Sequence, residues 1–288
     1  MTDGVRFSII IPTFDRPRQL RACLEAVAAQ DVHPADFETL VVDDGSPVPV
    51  ADALADAIER AGARVIVQPN EGPGAARNRG AAEARGGLLA FLDDDCAPAP
   101  GWLAALGRAA SEDPHAGIGG HTVNTLTGNT FSRASQALID YLYAYYNTGE
   151  AEQPMFTTSN LALPRAEFRQ IGGFDTRFTR AGGEDRELCL RWVRSGLGLR
   201  YAPEAIVYHA HRLGLGSFLQ QHFTYGRGAA QFHRIRGSPP VPEPLSFYRE
   251  LLLYPWRERM DARGRMSLLL ALSQVANALG YFWERRTT

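Results

Sequence analysis

The sequence predicts an α/β fold of three layers, α/β/α, with a mostly parallel central sheet and a helical C-terminal extension. Short apolar runs rich in β-branched residues alternate with helical patterns in the first part of the chain, which is typical of a parallel sheet covered on both faces. Acidic residues directly follow two of these runs, at 43–44 and at 93–95. Because ligands bind outside the carboxyl ends of strands in open α/β sheets, we expect one crevice that gathers these residues.

The first predicted strand covers Phe7–Pro12 and ends at a proline, which cannot donate to a sheet ladder. Apolar residues then recur at i, i+3, i+4 and i+7 from Leu20, so we expect a helix that runs to about residue 30. The loop between the two lies at the carboxyl end of the strand. The residues that we expect it to contribute to a ligand site are Pro12, Thr13, Phe14 and Arg16.

The next elements repeat this pattern of strand, loop and helix. The second strand ends directly at Asp43 and Asp44, and a loop at 68–74 is rich in turn residues. The predicted elements are, in order, a strand at 37–42, a helix at about 50–60, a strand at 64–67, a helix at 75–84 and a strand at 88–92.

Three consecutive carboxylates, Asp93, Asp94 and Asp95, follow the strand at 88–92, whose five residues are all apolar. Adjacent anions repel one another, so a divalent cation with oxygen ligands is the simplest way to hold them together. Such a cation would favour a phosphate-bearing ligand. The alternative is a solvated acidic turn, since aspartate favours turns and N-caps for local reasons.

The composition excludes several classes of protein. All 30 basic positions are arginine, so a Walker-type phosphate loop, a pyridoxal Schiff base and a lysine nucleophile are excluded. No G-x-G-x-x-G pattern follows the first strand, which disfavours a dehydrogenase. The three cysteines are widely spaced without a C-x-x-C pair, which favours the reducing cytoplasm. Nothing resembles a nucleic-acid-binding module.

Seven motifs in order resemble the family 2 glycosyltransferases, which are inverting enzymes of the nucleotide-diphospho-sugar transferase fold, the glycosyltransferase A type. The motifs are IIIPTFDR, VVDDGS, NEGPGAARNRG, LLAFLDDDC, TTSNLALPR, GGFDTRF and GGEDRELCLRW. The resemblance covers about residues 5–212. It implies a catalytic domain at 1–212, with a nucleotide half at about 1–98 and an acceptor half at about 99–212. A helical basic extension at 213–288 would follow.

Asp44 matches the family position that accepts a hydrogen bond from the nucleotide base. An ionised carboxylate is only an acceptor, so it selects a base with an N–H group. The structural alternative for Asp44 is an Asx-turn. Asp43 has either a structural role or a contact with the ribose.

The loop before the helix at 75–84 places small residues, among them Gly74, against a helix N-terminus, where backbone N–H groups and the macrodipole favour anions. Arg77 can add a planar, permanently charged fork for a diphosphate. A helix-surface ion pair is the alternative for Arg77. The family's acceptor-side segment at 157–165 would supply small polar side chains to the sugar pocket.

The resemblance also implies a metal site for Mn²⁺ or Mg²⁺. Asp93 and Asp95 match the metal-binding motif. Asp93 and Asp94 would also face the nucleotide-sugar donor, and Asp94 would contact its sugar. Some members complete the metal shell with a histidine after the catalytic base. We prefer His209 for this role over His211, which lies on the same strand face.

Asp185 matches the family's general base, which removes the proton of the acceptor hydroxyl. Glu184 would then orient the acceptor or the sugar, although the two roles can be exchanged. The structural alternative is the ordinary acidic first turn of a helix. A non-catalytic module of the same fold and a sugar-nucleotide pyrophosphorylase are the other classes. For the pyrophosphorylase we expect a glycine-rich loop with a lysine, and this chain lacks it.

The expected partners are a UDP-, dTDP- or GDP-linked sugar and a hydroxyl acceptor, lipid-linked or polysaccharide. From Arg212 onward the chain has 11 arginines against 5 acidic residues, a net charge of +6, which suits an anionic surface. A last helix at about 264–286 has an apolar stripe but is too polar for a membrane span. The stripe docks on the catalytic core or a dimer partner, or lies in the inner face of the membrane as a peripheral contact.

Overall fold

The computed structural model describes residues 4–147, 155–178, 182–237 and 243–287. The described strands are β1 (Phe7–Thr13), β2 (Phe37–Asp43), β3 (Ala63–Val67), β4 (Leu88–Leu92), β5 (Cys96–Pro98), β6 (Gly117–Asn124), β7 (Asn160–Pro164) and β8 (Leu199–His209). The described α-helices are α1 (Pro17–Ala28), α2 (Val50–Ala53), α3 (Ala55–Arg60), α4 (Pro73–Glu83), α5 (Trp102–Glu112), α6 (Thr130–Tyr146), α7 (Arg165–Gln170), α8 (Glu184–Arg194), α9 (Leu215–Arg236), α10 (Leu245–Arg257) and α11 (Arg263–Thr287).

The strands form one mixed sheet in the order β3-β2-β1-β4-β7-β6-β8-β5. The first four are parallel neighbours, whereas β7 is antiparallel to β4 and β6, and β5 is antiparallel to β8. In the parallel part, Thr13 lies opposite Asp43 and Ile10 opposite Phe91. The carboxyl ends of β1, β2 and β4 therefore reach the same edge of the sheet, which confirms the predicted α/β fold. The sheet is mixed rather than mostly parallel, because β7 and β5 run antiparallel to the strands that they pair with.

The sheet is covered on both faces because successive strand residues point to opposite sides. Ile9 and Ile11 belong to one buried cluster with residues of α1, α3 and α5. Ile10 points the other way, toward α4, where a Cβ on Gly80 would lie 2.6 Å from its Cγ2 atom. These two contacts define the predicted three layers, with α4 packed on the face opposite α1, α3 and α5.

The described residues divide into two compact units. The sheet unit lies within Met1–Val123, Gln153–Thr179 and Asp185–Ala210, and the helical unit within Asn124–Glu152, Arg180–Glu184 and His211–Thr288. The helical unit therefore includes α6, which the predicted boundary at residue 212 places in the catalytic domain. The physical reason is packing, because apolar side chains of α6 bury against α10 and α11. This cluster comprises Leu138, Tyr141, Phe247, Leu251 and Leu270.

His222 on α9 is an isolated polar group in the interior of the helical unit. Its side chain is 1% exposed, and its ring lies 4.5 Å from the Phe218 ring between centroids. Neither ring nitrogen has a hydrogen-bond partner among the described residues. Burial lowers the pKa of His222 to about 4, so the imidazole is neutral in the folded protein at neutral pH.

We expect His222 to make the folded state sensitive to acid. The unfolded chain binds the proton near pH 6.5 and the folded chain only near pH 4, so stability falls as the pH decreases through this window. The loss reaches about 3 kcal/mol at the lower end. His222→Phe keeps an aromatic ring and removes the titration, and urea unfolding at pH 7 and at pH 4.5 should show a smaller difference for this variant. Equal differences for both proteins would contradict the assignment.

Candidate functional site

The acidic turn after β4 is joined to the loop after β1 by direct hydrogen bonds. Thr13 Oγ1 donates to Asp94 Oδ2 at 2.8 Å. The Arg16 guanidinium donates to Asp94 Oδ1 and to Asp95 Oδ2, both at 2.7 Å. The parallel pairing of β1 and β4 produces this contact, since it brings both loops to one edge. The loop after β1 and the acidic turn after β4 thus converge at this edge.

Asp94 is the most deeply buried carboxylate of the turn, with 3% of its surface exposed. Burial raises the pKa of Asp94 to about 7, although the Arg16 charge and the Thr13 hydroxyl act in the opposite direction. The ion pair and the raised pKa are compatible because the loss of hydration outweighs the attraction to Arg16. A negative charge on Asp94 therefore depends on its cationic surroundings.

Pro12 and Phe14, the other two residues predicted to contribute to the site from this segment, differ in their positions. Pro12 stays within β1, opposite Val42 of β2. Phe14 is 45% exposed, so its ring is accessible to a ligand. An exposed aromatic ring is suited to stacking on a planar group.

Arg77 reaches the acidic turn from the first turns of α4. Its Nη2 atom donates to Asp93 Oδ1 at 2.7 Å, and its guanidinium carbon lies 5.5 Å from the centre of the Phe174 ring. The side chain of Arg77 is 5% exposed, whereas that of Asp93 is 33% exposed. The permanently charged guanidinium of Arg77 is therefore buried, and it contacts the turn through Asp93. Gly74 is also buried, but a Cβ there would meet Phe174 at an ordinary 3.6 Å, so packing does not require a glycine.

The two carboxylates after β2 shape the neighbouring loops. Asp43 is 1% exposed and accepts the backbone N–H groups of Ser46 at 2.9 Å and Val50 at 3.1 Å. These bonds support the structural alternative for Asp43.

Asp44 has both oxygens engaged but retains capacity for a ligand. Its Oδ1 accepts from Gln68 Nε2 at 2.7 Å and from the Glu71 N–H at 3.0 Å. Its Oδ2 accepts from the Gly72 N–H at 2.9 Å. Because a carboxylate oxygen has about two acceptor sites, Oδ2 can take one further donor.

His209 lies beside the turn because β8 pairs with β5, which places Cys96 opposite His209. Its Nε2 atom is 3.2 Å from Asp95 Oδ1. Burial lowers the pKa of His209, but the hydrogen bond and charge of Asp95 outweigh this effect and raise the pKa.

Asp95 and His209 come together within the sheet unit and place a carboxylate oxygen 3.2 Å from an imidazole nitrogen. These two donor atoms fit a divalent ion such as Mn²⁺. Asp93 bonds to Arg77 instead. The predicted ligands Asp95 and His209 thus lie together, and Asp93 and His211 as ligands stay predictions.

The two acidic residues at the start of α8 differ in their surroundings. Glu184 is 4% exposed, and its Oε2 accepts the Gly182 N–H at 2.6 Å. Asp185 is half-buried, and its Oδ1 accepts the Arg186 N–H at 2.7 Å. Of the two carboxylates, Asp185 is the more accessible to a substrate hydroxyl.

Asn160, one of the small polar residues expected to line the sugar pocket, is a structural residue. It is 0% exposed, and its Oδ1 accepts from Trp102 Nε1 at 2.8 Å. Its Nδ2 donates to the carbonyls of His121 and Ala205. Both amide N–H groups and the amide oxygen tie β7 to its neighbours, which supports a structural role for Asn160.

The fold and the site together define an α/β nucleotide-diphospho-sugar transferase fold of the glycosyltransferase A type. Residues 8–172 match the family model described as glycosyl transferase family 2, and residues 144–212 match one described as the N-terminal domain of galactosyltransferase. The chain belongs to glycosyl transferase family 2.

Among known proteins, the pre-mycofactocin glycosyltransferase of Mycobacterium tuberculosis is 31% identical over 233 residues, which cover 77% of this chain and 46% of that protein. The validoxylamine A glucosyltransferase of Streptomyces hygroscopicus subsp. limoneus is 29% identical over 226 residues, 69% of this chain and 50% of that protein. The chain spans about half the length of these relatives.

The solved structure of a mannosyltransferase, PcManGT from Pyrobaculum calidifontis in complex with GDP-Man and Mn²⁺, shares the fold. Its TM-score is 0.70 at 17% identity, over 99% of this chain and 89% of that one. This similarity supports the architecture of the chain.

We expect Asp95→Ala and His209→Ala to weaken Mn²⁺-dependent binding of UDP, dTDP or GDP by at least about tenfold, because each removes a candidate ligand. Calorimetric titration with and without Mn²⁺ measures this effect. His115→Ala, which removes an exposed imidazole from the sheet unit, is the matched control. His211→Ala, measured alongside, shows which of the two histidines binds the ion. Unchanged Mn²⁺-dependent affinity in Asp95→Ala would exclude this metal site.

Proposed function

We infer that this chain is an inverting glycosyltransferase that moves a sugar from a nucleotide-diphosphate sugar to a hydroxyl acceptor, with Mn²⁺ or Mg²⁺ as the cofactor. The observation that carries this proposal is the convergence of Thr13 and Arg16 with the acidic turn at 93–95. Membership of glycosyl transferase family 2 supports it. A solvated acidic turn is disfavoured, because the turn is held by two arginines and by Thr13 rather than by water alone.

On the donor side, Asp44 receives the base through the free capacity of its Oδ2 atom. Phe14 provides an exposed ring next to Thr13, whose carbonyl accepts the Asp44 N–H, and Asp43 maintains the loop. The permanent charge of Arg77 and the N-terminus of α4 with Gly74 favour the diphosphate. Arg16 donates to both Asp94 and Asp95 and so offsets part of their negative charge.

A divalent ion, when bound, would stabilise the negative charge that develops on the leaving diphosphate. Asp95 and His209 would hold it, with His211 or Asp93 as a further ligand. Asp94, whose Thr13 and Arg16 bonds keep it in the turn, faces the sugar.

Transfer with inversion needs one base. Asp185 accepts the proton of the acceptor hydroxyl while the oxygen forms a bond to the anomeric carbon. The bond from that carbon to the diphosphate oxygen breaks, and the electron pair leaves with the nucleoside diphosphate. The half-buried position of Asp185 supports this role. Glu184, which holds the Gly182 N–H, would orient the acceptor or the sugar.

The proposed donors carry UDP, dTDP or GDP, and the proposed acceptor is a lipid-linked or polysaccharide hydroxyl. The solved structure that shares the fold was obtained with GDP-Man and Mn²⁺, which supports GDP as one of the donors to test. We place the protein in the cytoplasm, with a peripheral contact at the inner face of the membrane as the alternative to a freely diffusing enzyme. By length and composition α11 qualifies as a candidate membrane span, although 33% of its apolar window is buried within the structure.

The test is a panel of UDP-, dTDP- and GDP-sugars with Mn²⁺, scored for donor hydrolysis and for transfer. We expect Asp185→Asn to lower turnover by about 10²–10⁴-fold, because general base catalysis contributes that much. Donor affinity should be retained, since the carboxylate acts on the acceptor. Glu187→Gln, an acidic residue of α8 paired with Arg191, is the control for changes in helix charge.

Near-normal transfer by Asp185→Asn would exclude it as the base, and the same assay on Glu184→Gln would test the exchanged roles. Donor binding without turnover in the wild-type protein would favour the non-catalytic binding module.

A further inference from the structure

The outer face of α11 is an extended apolar surface. Its large side chains are 36% to 60% exposed, although most are of the kind found in protein cores. We call this set the α11 face, and it comprises Leu268, Leu272, Val275, Leu279, Phe282 and Trp283. At 1.5 Å per residue the face extends for about 22 Å, which is large for a monomer surface without a partner.

The opposite side of α11 is already committed to packing within the helical unit. A Cβ on Gly226 of α9 would lie 1.8 Å from the Asn277 carbonyl oxygen, and one on Gly280 of α11 would lie 1.9 Å from the Phe223 carbonyl oxygen. The two backbones thus touch where both helices have glycine. Turning the α11 face inward would break this contact, so the apolar side chains stay on the surface.

The charges of α11 are confined to its two ends. Residues 266–283 contain no charged side chain, whereas Arg263 and Arg265 precede them and Arg285 and Arg286 follow them, all exposed. The acidic residue of α11, Glu284, is 9% exposed and accepts a hydrogen bond from Arg227 at 2.6 Å. The apolar face is therefore flanked by positive charge on both sides.

A tryptophan lies at each end of the face. Trp283 is 57% exposed at one end. Trp256 of α10 is 51% exposed and joins the other end, because its Nε1 donates to Ser267 Oγ at 3.3 Å and Arg263 lies over its ring at 5.1 Å. Tryptophan and arginine around an apolar helix face are typical of helices that lie in a membrane interface.

The distribution of charge distinguishes between two occupants of this face. A second copy of the chain would bring basic ends against basic ends in both the parallel and the antiparallel arrangement, which is repulsive. An anionic lipid surface attracts both ends at once and buries the apolar residues between them. We propose that the α11 face, with Trp256, docks the helical unit on an anionic lipid bilayer, with α11 parallel to the membrane plane.

The test is co-sedimentation of the full chain with vesicles, and it needs no sugar donor, so it is independent of the proposed function. We expect binding to vesicles of one part phosphatidylglycerol and two parts phosphatidylcholine, weaker binding at high salt, and little binding to pure phosphatidylcholine. Leu279→Glu with Phe282→Glu should reduce affinity by more than about tenfold, and Arg285→Gln with Arg286→Gln by about tenfold. Val67→Glu, at a residue that is 64% exposed in the sheet unit, is the matched control.

Circular dichroism of each variant shows whether reduced binding results from the changed surface or from unfolding. We expect unchanged helix content, since all substituted residues are exposed. Absence of binding to anionic vesicles, or equal binding by the Leu279→Glu, Phe282→Glu variant, would overturn the proposal. Equal binding to neutral vesicles would also overturn it. Resistance to alkaline carbonate extraction would indicate a membrane-spanning helix instead. A wild-type dimer in sedimentation velocity that this variant converts to monomer would indicate that a second copy of the chain covers the face.

Discussion

The arrangement of the site depends on how the three carboxylates at the end of β4 are held together. Like charges in adjacent positions repel one another, and burial increases the cost of each charge. The chain compensates with Arg16 and Thr13 from the loop after β1 and with Arg77 from α4. His209 adds a partner from β8. Strand pairing brings these distant segments to the turn, and their side chains then offset its charge.

The parallel half of the sheet and the carboxyl edge could be predicted from the sequence, because apolar runs and the acidic residues that end them are local patterns. The partners of those acidic residues could not be predicted in the same way. Arg16 and Asp94 are 78 residues apart in sequence, and their contact depends on β1 and β4 being neighbours. The position of His209 depends similarly on the β5 and β8 register.

Two residues show where local patterns mislead. Asn160 belongs to the segment at 157–165 that the family resemblance assigns to the acceptor side, yet its buried amide joins strands and a tryptophan. Phe174 beneath Arg77 was not among the predicted site residues, because nothing in its local sequence indicates a guanidinium above its ring. In the helical unit, α6 belongs with α10 and α11 through side chains far away in the sequence.

The most direct test of the account is a crystal of the protein with Mn²⁺ and the nucleoside diphosphate that binds best, measured at the manganese absorption edge. The account predicts one anomalous peak within coordination distance of Asp95 Oδ and His209 Nε2, with the diphosphate oxygens in contact with the ion. It also predicts that Arg16 or Arg77 lies against the same diphosphate. A diphosphate bound elsewhere, or a manganese peak that has neither Asp95 nor His209 among its ligands, would contradict the central claim.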